Sequence, residues 1–256
     1  MAKYIIYSKC LSNGLECDID EDTYNNLKQS KEVLFEVRSK ENIYNIVLMN
    51  YYEFENELFE ISLKDEIFQS DYFTFSMYVS KAEQRVLNLL SSITLYLDSF
   101  KFEENIEKYS EHVKNEYQSI VDYYEEVRNG DTKIEIIKFL RNHIQHNGLL
   151  NPNALFSGVN LSDELREQTL KFEINKKEIK AKWFKLENFT DIEDEIDLKN
   201  IIRIHMDFIS QIHQKFRELT NEKTKNARSE FESILQKYSE HNFLCVAQKI
   251  DGEIKD

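Results

Sequence analysis

Arg141-Asn142-His143-Ile144-Gln145-His146 puts five hydrogen-bonding or titratable side chains into six consecutive residues, with Ile144 the single apolar member. Imidazole takes and gives protons near neutrality. A guanidinium presents a planar fork to carboxylate or phosphate oxygens. Together these groups suit proton transfer and charge stabilisation at a phosphate ester. The segment closes an apolar series, Ile134, Ile137, Leu140 and Ile144, whose steps of three and four predict a helix. On that helix Asn142 and His146 share a face. Arg141 and His146 are five residues apart, about 140° around the axis. Only the length of the arginine lets these two serve one site. The same residues also make an ordinary polar helix end, with Arg141 in a salt bridge, His146 capping carbonyls and Asn147-Gly148 as the stop. Residue types alone leave both readings open.

The other candidates for chemistry are weaker. His112 and His241 stand in polar surroundings and read as surface residues. His205 lies on an apolar helical stripe with His213 nearby, and a packed, hydrogen-bonded role suits it better than ligation. No HExxH or three-ligand spacing occurs, so no metal site is expected. Cys10, Cys17 and Cys245 are odd in number and lack CxxC spacing. That pattern fits neither a disulfide framework nor a zinc finger, and reads as free thiols in a reducing cytosol.

The elements that must hold these residues are long helices. Five glycines and one proline in 256 residues are too few for sandwiches, barrels or dinucleotide-binding folds. Ile43, Val47, Asn50, Phe54, Leu58 and Ile61 form one helical stripe, and Ala82, Val86, Leu90, Ile93, Leu97 and Phe100 a second. Ile106, Ser110, Val113, Tyr117, Ile120, Tyr124 and Val127 form a third. Asn129-Gly130 stops it, and Thr132 to Glu135 matches a capping box for a fourth helix of about 15 residues. That helix ends at Asn147-Gly148, ahead of Pro152. Helix resumes near Leu198, with Ile201, His205, Phe208, Ile212, Phe216 and Leu219 aligned, and a last helix is expected from Asn226 to Tyr238. With 14 tyrosines and 17 phenylalanines, the core should be rich in aromatics.

Elsewhere the pattern is mixed. Lys3 to Tyr7 reads as a short strand, Cys17 to Asp22 as an acidic loop, and Thr23 to Arg38 fits strand or helix. In 149–195, Asn151-Pro152-Asn153 and Ser157-Gly158 are turn material. Leu170 to Ile174 alternates like a strand, turning at Asn175-Lys176 into Glu178 to Phe184 as a hairpin. Asp191 to Asp197 reads as an acidic loop. Phe243 to Ala247 reads as a terminal strand able to pair with residues 3–7. The expected fold is therefore mainly α, an antiparallel helical bundle with a small β-hairpin excursion and terminal strands. Its organisation is an N-terminal extension of mixed structure over 1–40, a bundle over 41–220 that includes the insertion, and a C-terminal helix and tail over 221–256.

The formal net charge is −14, which argues against a protein that coats nucleic acid. The one basic concentration, Lys176 to Lys185, carries five lysines and Trp183, the chain's single tryptophan. It reads either as a surface that stacks bases or as a solvated hairpin with the indole in the core. No segment has the ~20 apolar residues of a membrane span, and the apolar run in residues 1–14 is too short for a secretory signal to be expected. A cytoplasmic protein is expected.

Arg141-Asn142-x-x-x-His146 resembles the signature of the HEPN family (higher eukaryotes and prokaryotes nucleotide-binding), R-x(4–6)-H with a polar residue after the arginine. The apolar helix before it and Asn147-Gly148-Leu149 after it fit the same pattern. As architecture the resemblance covers about residues 40–220, and as motif about ten residues. It implies a metal-independent endoribonuclease without a cofactor, in which the 2′-hydroxyl of RNA attacks the adjacent phosphorus. The products would be a 2′,3′-cyclic phosphate and a 5′-hydroxyl. His146 would move the proton, Arg141 would hold the non-bridging oxygens, and Asn142 would orient phosphate or imidazole. One imidazole per chain serves two proton transfers poorly, so a two-fold homodimer with helix four in its interface is expected. The RNA substrate would make local contact only, and an antitoxin or regulatory partner would restrain a toxin or antiviral effector. The alternative is a non-catalytic HEPN-like module that binds a nucleotide or a protein.

Overall fold

A computed structural model describes residues 3–8, 16–68, 71–100, 113–128, 131–160, 166–179, 193–238, 244–250 and 253–255. The fold is mainly helical, with two small antiparallel sheets. In chain order the elements are β1 (Lys3–Ser8), β2 (Glu16–Ile19), α1 (Glu21–Phe68), α2 (Tyr72–Ser99), α3 (Lys114–Arg128), α4 (Thr132–Asn147), β3 (Asn153–Asn160), β4 (Arg166–Asn175), β5 (Glu195–Asp197), α5 (Leu198–Lys237), β6 (Leu244–Ile250) and β7 (Glu253–Lys255). A 3₁₀ turn spans Lys176–Glu178.

The helices are longer than expected. α1 starts at Glu21 and absorbs the ambiguous Thr23 to Arg38, so Val33 to Val37 is helix. The expected loop from Cys17 to Asp22 is instead β2 followed by the first turn of α1. Asp20 accepts the Thr23 amide at 2.7 Å, and that bond holds its carboxyl below the usual aspartate range. α5 runs unbroken where two helices were expected, because no glycine or proline lies between Leu198 and Lys237. The cap of α4 also differs. Asp131, not Thr132, accepts the Lys133 amide at 2.9 Å, while Glu135 is drawn to Arg128 at 2.5 Å and does not close a capping box. The Asn129-Gly130 stop and residues 106 and 110 of the third stripe lie outside the described residues.

The hairpin exists with other partners. β4 contains the alternating Leu170, Phe172 and Ile174, all buried, but it pairs with β3 and β5. Ser157 and Gly158, expected in a turn, sit in β3 opposite Thr169 and Gln168. Glu195 to Asp197, expected as loop, is β5, and buried Ile196 faces Ile174 across the ladder. Sequence after Asn175 turns into a 3₁₀ helix where Lys177 donates to the Asn175 side chain. Residues 180–184, expected as the second hairpin strand, lie outside the described residues. The expected pairing of the terminal strands forms, with Ile5 opposite Ala247 and Ile6 opposite Val246, inside a sheet of order β2-β1-β6-β7 whose outer strands were not expected. Ile5, Ile6 and Ala247 are fully buried, so β1 is covered on both faces.

The chain forms two compact units. The first comprises Met1–Glu41, Phe102–Ser119 and Lys215–Asp256. In it α1 and α5 run antiparallel, tied by the two-pronged Arg217–Glu41 pair at 2.8 and 2.6 Å. The second comprises Asn42–Lys101 and Ile120–Gln214. Its core holds Phe54, Leu89, Leu90, Ile93, Tyr96, Leu140, Ile209 and Ile212. Arg203 clasps Glu55 with two bonds of 2.7 Å, and Arg85 reaches Glu53 at 2.6 Å. Aliphatic side chains make up most of the core, against the expectation of an aromatic-rich one, although Phe54, Tyr96 and Phe216 are fully buried.

The second unit also buries two histidines of α5. His213 stacks on Tyr44 at 3.7 Å and shares a 3.0 Å hydrogen bond with the Tyr96 hydroxyl. His205 is packed as expected, against Phe208, but not hydrogen-bonded: neither ring nitrogen has a partner. Burial, helped by the charge of Lys138, lowers its pKa from 6.5 to about 3. Below 6.5 the unfolded chain therefore takes up a proton that the folded chain refuses. Stability is complete above that value and falls by about 1.4 kcal/mol per pH unit toward the folded pKa. Urea titrations at neutral and mildly acid pH should show His205→Leu losing clearly less stability than wild type. Parallel losses in both proteins would rule out this histidine as the source.

Candidate functional site

α4 positions the motif through its buried side. Ile134, Ile136, Ile137, Leu140 and His143 are buried, on a helix that packs against α2. Arg141 and Asn142 are half-buried, and Gln145, His146 and Asn147, in the last turn of the helix, are exposed. The Arg141 guanidinium donates to the Asn142 side-chain oxygen at 3.5 Å, the outer limit of a hydrogen bond. Among the described residues Arg141 pairs with no carboxylate, and His146 hydrogen-bonds to neither Arg141 nor Asn142 nor a helix carbonyl. The structure thus brings Arg141 and Asn142 side by side and leaves His146 exposed, one turn from Asn142 on the same side.

The imidazole that the bundle takes in is His143, not His146. Ile144, expected on the buried stripe, is only half-buried. The inner face follows 136, 140 and 143, and the three-and-four spacing fits that series as well as 137, 140 and 144. Only contact with α2 chooses between them.

The exit from α4 is built by residues that the motif does not include. Gly148 has φ 107° and ψ −162°, a region that only glycine occupies without strain. Leu150 is buried, and Asn151 adopts a left-handed φ of 49°. The Asn151 amide donates at 2.8 Å to Glu83, a carboxylate buried on α2. Glu83 was missed from sequence. Its one signal is a charge next to Ala82 on an apolar stripe.

Lys176 and Lys177 are in the 3₁₀ turn, while Lys180 to Lys185 with Trp183 lie outside the described residues. Cys17 and Cys245 are free thiols, and Cys10, His112 and His241 lie outside the described residues. Among the described residues no three His, Cys, Asp or Glu side chains gather as a metal site, and no helix is long and apolar enough to cross a membrane. No protein-family model matches the chain, and neither does a curated protein or a solved structure.

The glycine stop yields a direct test. A Cβ at Gly148 meets nothing within 4 Å, so any cost of Gly148→Ala is backbone strain. Thermal or urea unfolding should find that substitution destabilising by about 1–3 kcal/mol. An unchanged midpoint would show that the chain relaxes out of this conformation freely.

Proposed function

We propose that the chain is a metal-independent endoribonuclease of the HEPN type, with Arg141, Asn142 and His146 as its working residues. The observation that carries this reading is the state of Arg141. It is half-buried, touches Asn142, and has no carboxylate partner among the described residues. In a chain with 47 acidic residues to 33 basic ones, a surface arginine left without a counter-ion is ready for an anion. Here that anion is the scissile phosphate. Arg141 holds the non-bridging oxygens as charge builds on them. Asn142 steadies the guanidinium or the phosphate. His146, open to solvent, takes the proton of the 2′-hydroxyl or gives one to the leaving 5′-oxygen. Attack by the 2′-hydroxyl leaves a 2′,3′-cyclic phosphate and a 5′-hydroxyl.

Two proton transfers call for two imidazoles, hence a two-fold homodimer. The interface includes α4, so that two His146 side chains meet, and the exposed apolar side chains of α1 and the start of α2, Met49, Phe59, Ile67, Phe68, Tyr72 and Phe73, add apolar surface for association. The dimer is a cytoplasmic toxin or antiviral effector restrained by a regulatory partner. The net charge of −14 favours a second reading, a non-catalytic module that binds a nucleotide or a protein through the same motif.

Purified protein incubated with total RNA and EDTA separates the two. Wild type should cut RNA and leave cyclic-phosphate ends, while DNA and 2′-O-methyl RNA resist. His146→Ala should lower the rate by roughly 10²–10⁴, and Arg141→Lys should be badly impaired because the fork is lost. Activity abolished by EDTA, or retained in His146→Ala, sinks the mechanism. Light scattering should give a dimer, and Phe59→Glu should shift it to monomer. A monomeric wild type would leave each imidazole alone and remove the two-site chemistry.

A further inference from the structure

In the first unit, α1 and α5 enclose a groove of about 630 Å³ that is unrelated to the α4 motif. Leu34 and Val37 of α1 form its apolar side, and Arg38, Arg217, Lys225 and Arg228 bring four positive charges to it from the two helices. One carboxylate lines it, Glu41, and both of its oxygens are engaged by Arg217. Arg38, Lys225 and Arg228 pair with no carboxylate among the described residues. Elsewhere in this acidic chain arginines find carboxylates, as Arg85, Arg128 and Arg203 do. Three unneutralised cations around one cavity are therefore a departure from the pattern of the surface.

A second observation comes from the lining itself. The Thr224 hydroxyl, which belongs to this groove, is buried and has no hydrogen-bond partner. A buried hydroxyl without a partner is uncommon in a folded protein, and this one sits at the groove wall. Its neighbour one turn earlier, Thr220, satisfies its own hydroxyl on the Phe216 carbonyl at 2.8 Å.

We propose that this groove binds a small polyphosphate anion, two or more phosphoryl groups joined in a compact ligand. Guanidinium forks and an ammonium match phosphoryl oxygens in charge and geometry. Rotation of the Thr224 side chain toward the groove lets its hydroxyl donate to one of those oxygens. Arg217, aligned by Glu41, keeps its position while the unpaired cations close on the ligand. The volume lies in the range of small-molecule sites. Cations approach from both helices around one cavity, which suits a compact anion better than a strand. The site does not depend on the ribonuclease reading, and His146→Ala protein should bind as well as wild type.

Calorimetric titration of the full chain with inorganic tripolyphosphate at low salt is the test. Saturable one-to-one binding is expected, with orthophosphate roughly tenfold weaker or more. Arg38→Gln, Lys225→Gln and Arg228→Gln should each lower affinity roughly tenfold. All three side chains are exposed, so the fold should persist, and circular dichroism checks it. Thr224→Val should weaken binding without lowering the melting temperature, since the free protein loses only an unsatisfied hydroxyl. Parallel titrations with a nucleoside triphosphate and with inositol hexakisphosphate identify the carrier of the phosphates, and tighter binding of either supports the site. Absence of saturable tripolyphosphate binding overturns the proposal, as does affinity unchanged in the triple Gln variant. Displacement of tripolyphosphate by a single-stranded oligonucleotide at equal phosphate concentration also overturns it, in favour of a nucleic-acid groove.

Discussion

Burial of one side of α4 is the constraint on which the candidate site depends. A helix is rigid in rotation, so seating Ile136, Leu140 and His143 against α2 fixes where every other side chain of that helix points. Arg141 and Asn142 are half-buried, and His146, one turn nearer the helix end, is exposed. The ends are held separately. Asp131 sets the start of the helix, while Gly148 and the Asn151–Glu83 hydrogen bond set its exit. A polar cluster that resembles an ordinary helix end is therefore presented from a well-anchored element, without the salt bridge or carbonyl cap such an end would use.

The acidic balance acquires a different meaning in three dimensions. Averaged over the chain, 47 acidic and 33 basic residues give a surface that repels polyanions. Locally, many of the arginines are spent on carboxylates, and those that remain unpaired stand out. Arg141 is one such group, in the second unit. Arg38 and Arg228, with Lys225, are others, in the first. Net charge bears on long-range steering, whereas an individual anion site is decided within a few ångströms by which cations lack partners.

Polar groups inside the protein divide in a similar way. His213 is integrated, with a stacked tyrosine and a shared hydrogen bond. His205 is merely enclosed, kept neutral by desolvation with no hydrogen bond in return. Both occur on one apolar stripe of α5, eight residues apart in sequence. The difference lies in their neighbours: Tyr44 and Tyr96 from other helices meet His213, whereas the ring beside His205 is Phe208 of its own helix.

The amino-acid sequence by itself determined the class of fold, because scarce glycine and proline with apolar steps of three and four admit little except long helices. It also determined α4 and its glycine stop, and the pairing of the two chain ends, where Ile5-Ile6 and Val246-Ala247 read as strands. These are local signals, carried by residues close together along the chain. What local signals could not decide was left to tertiary structure. Val33 to Val37 fits strand or helix equally until α1 is seen to continue through it. Ser157-Gly158 is turn material until β4 supplies a ladder on which both residues pair. The choice of His143 over Ile144 for the interior was made by α2. Arg38, Arg217, Lys225 and Arg228 lie up to 190 residues apart, and no pattern along the chain joins them. They become neighbours only because α1 and α5 pack antiparallel in the first unit, and convergence of distant residues is a property of packing that no local pattern encodes.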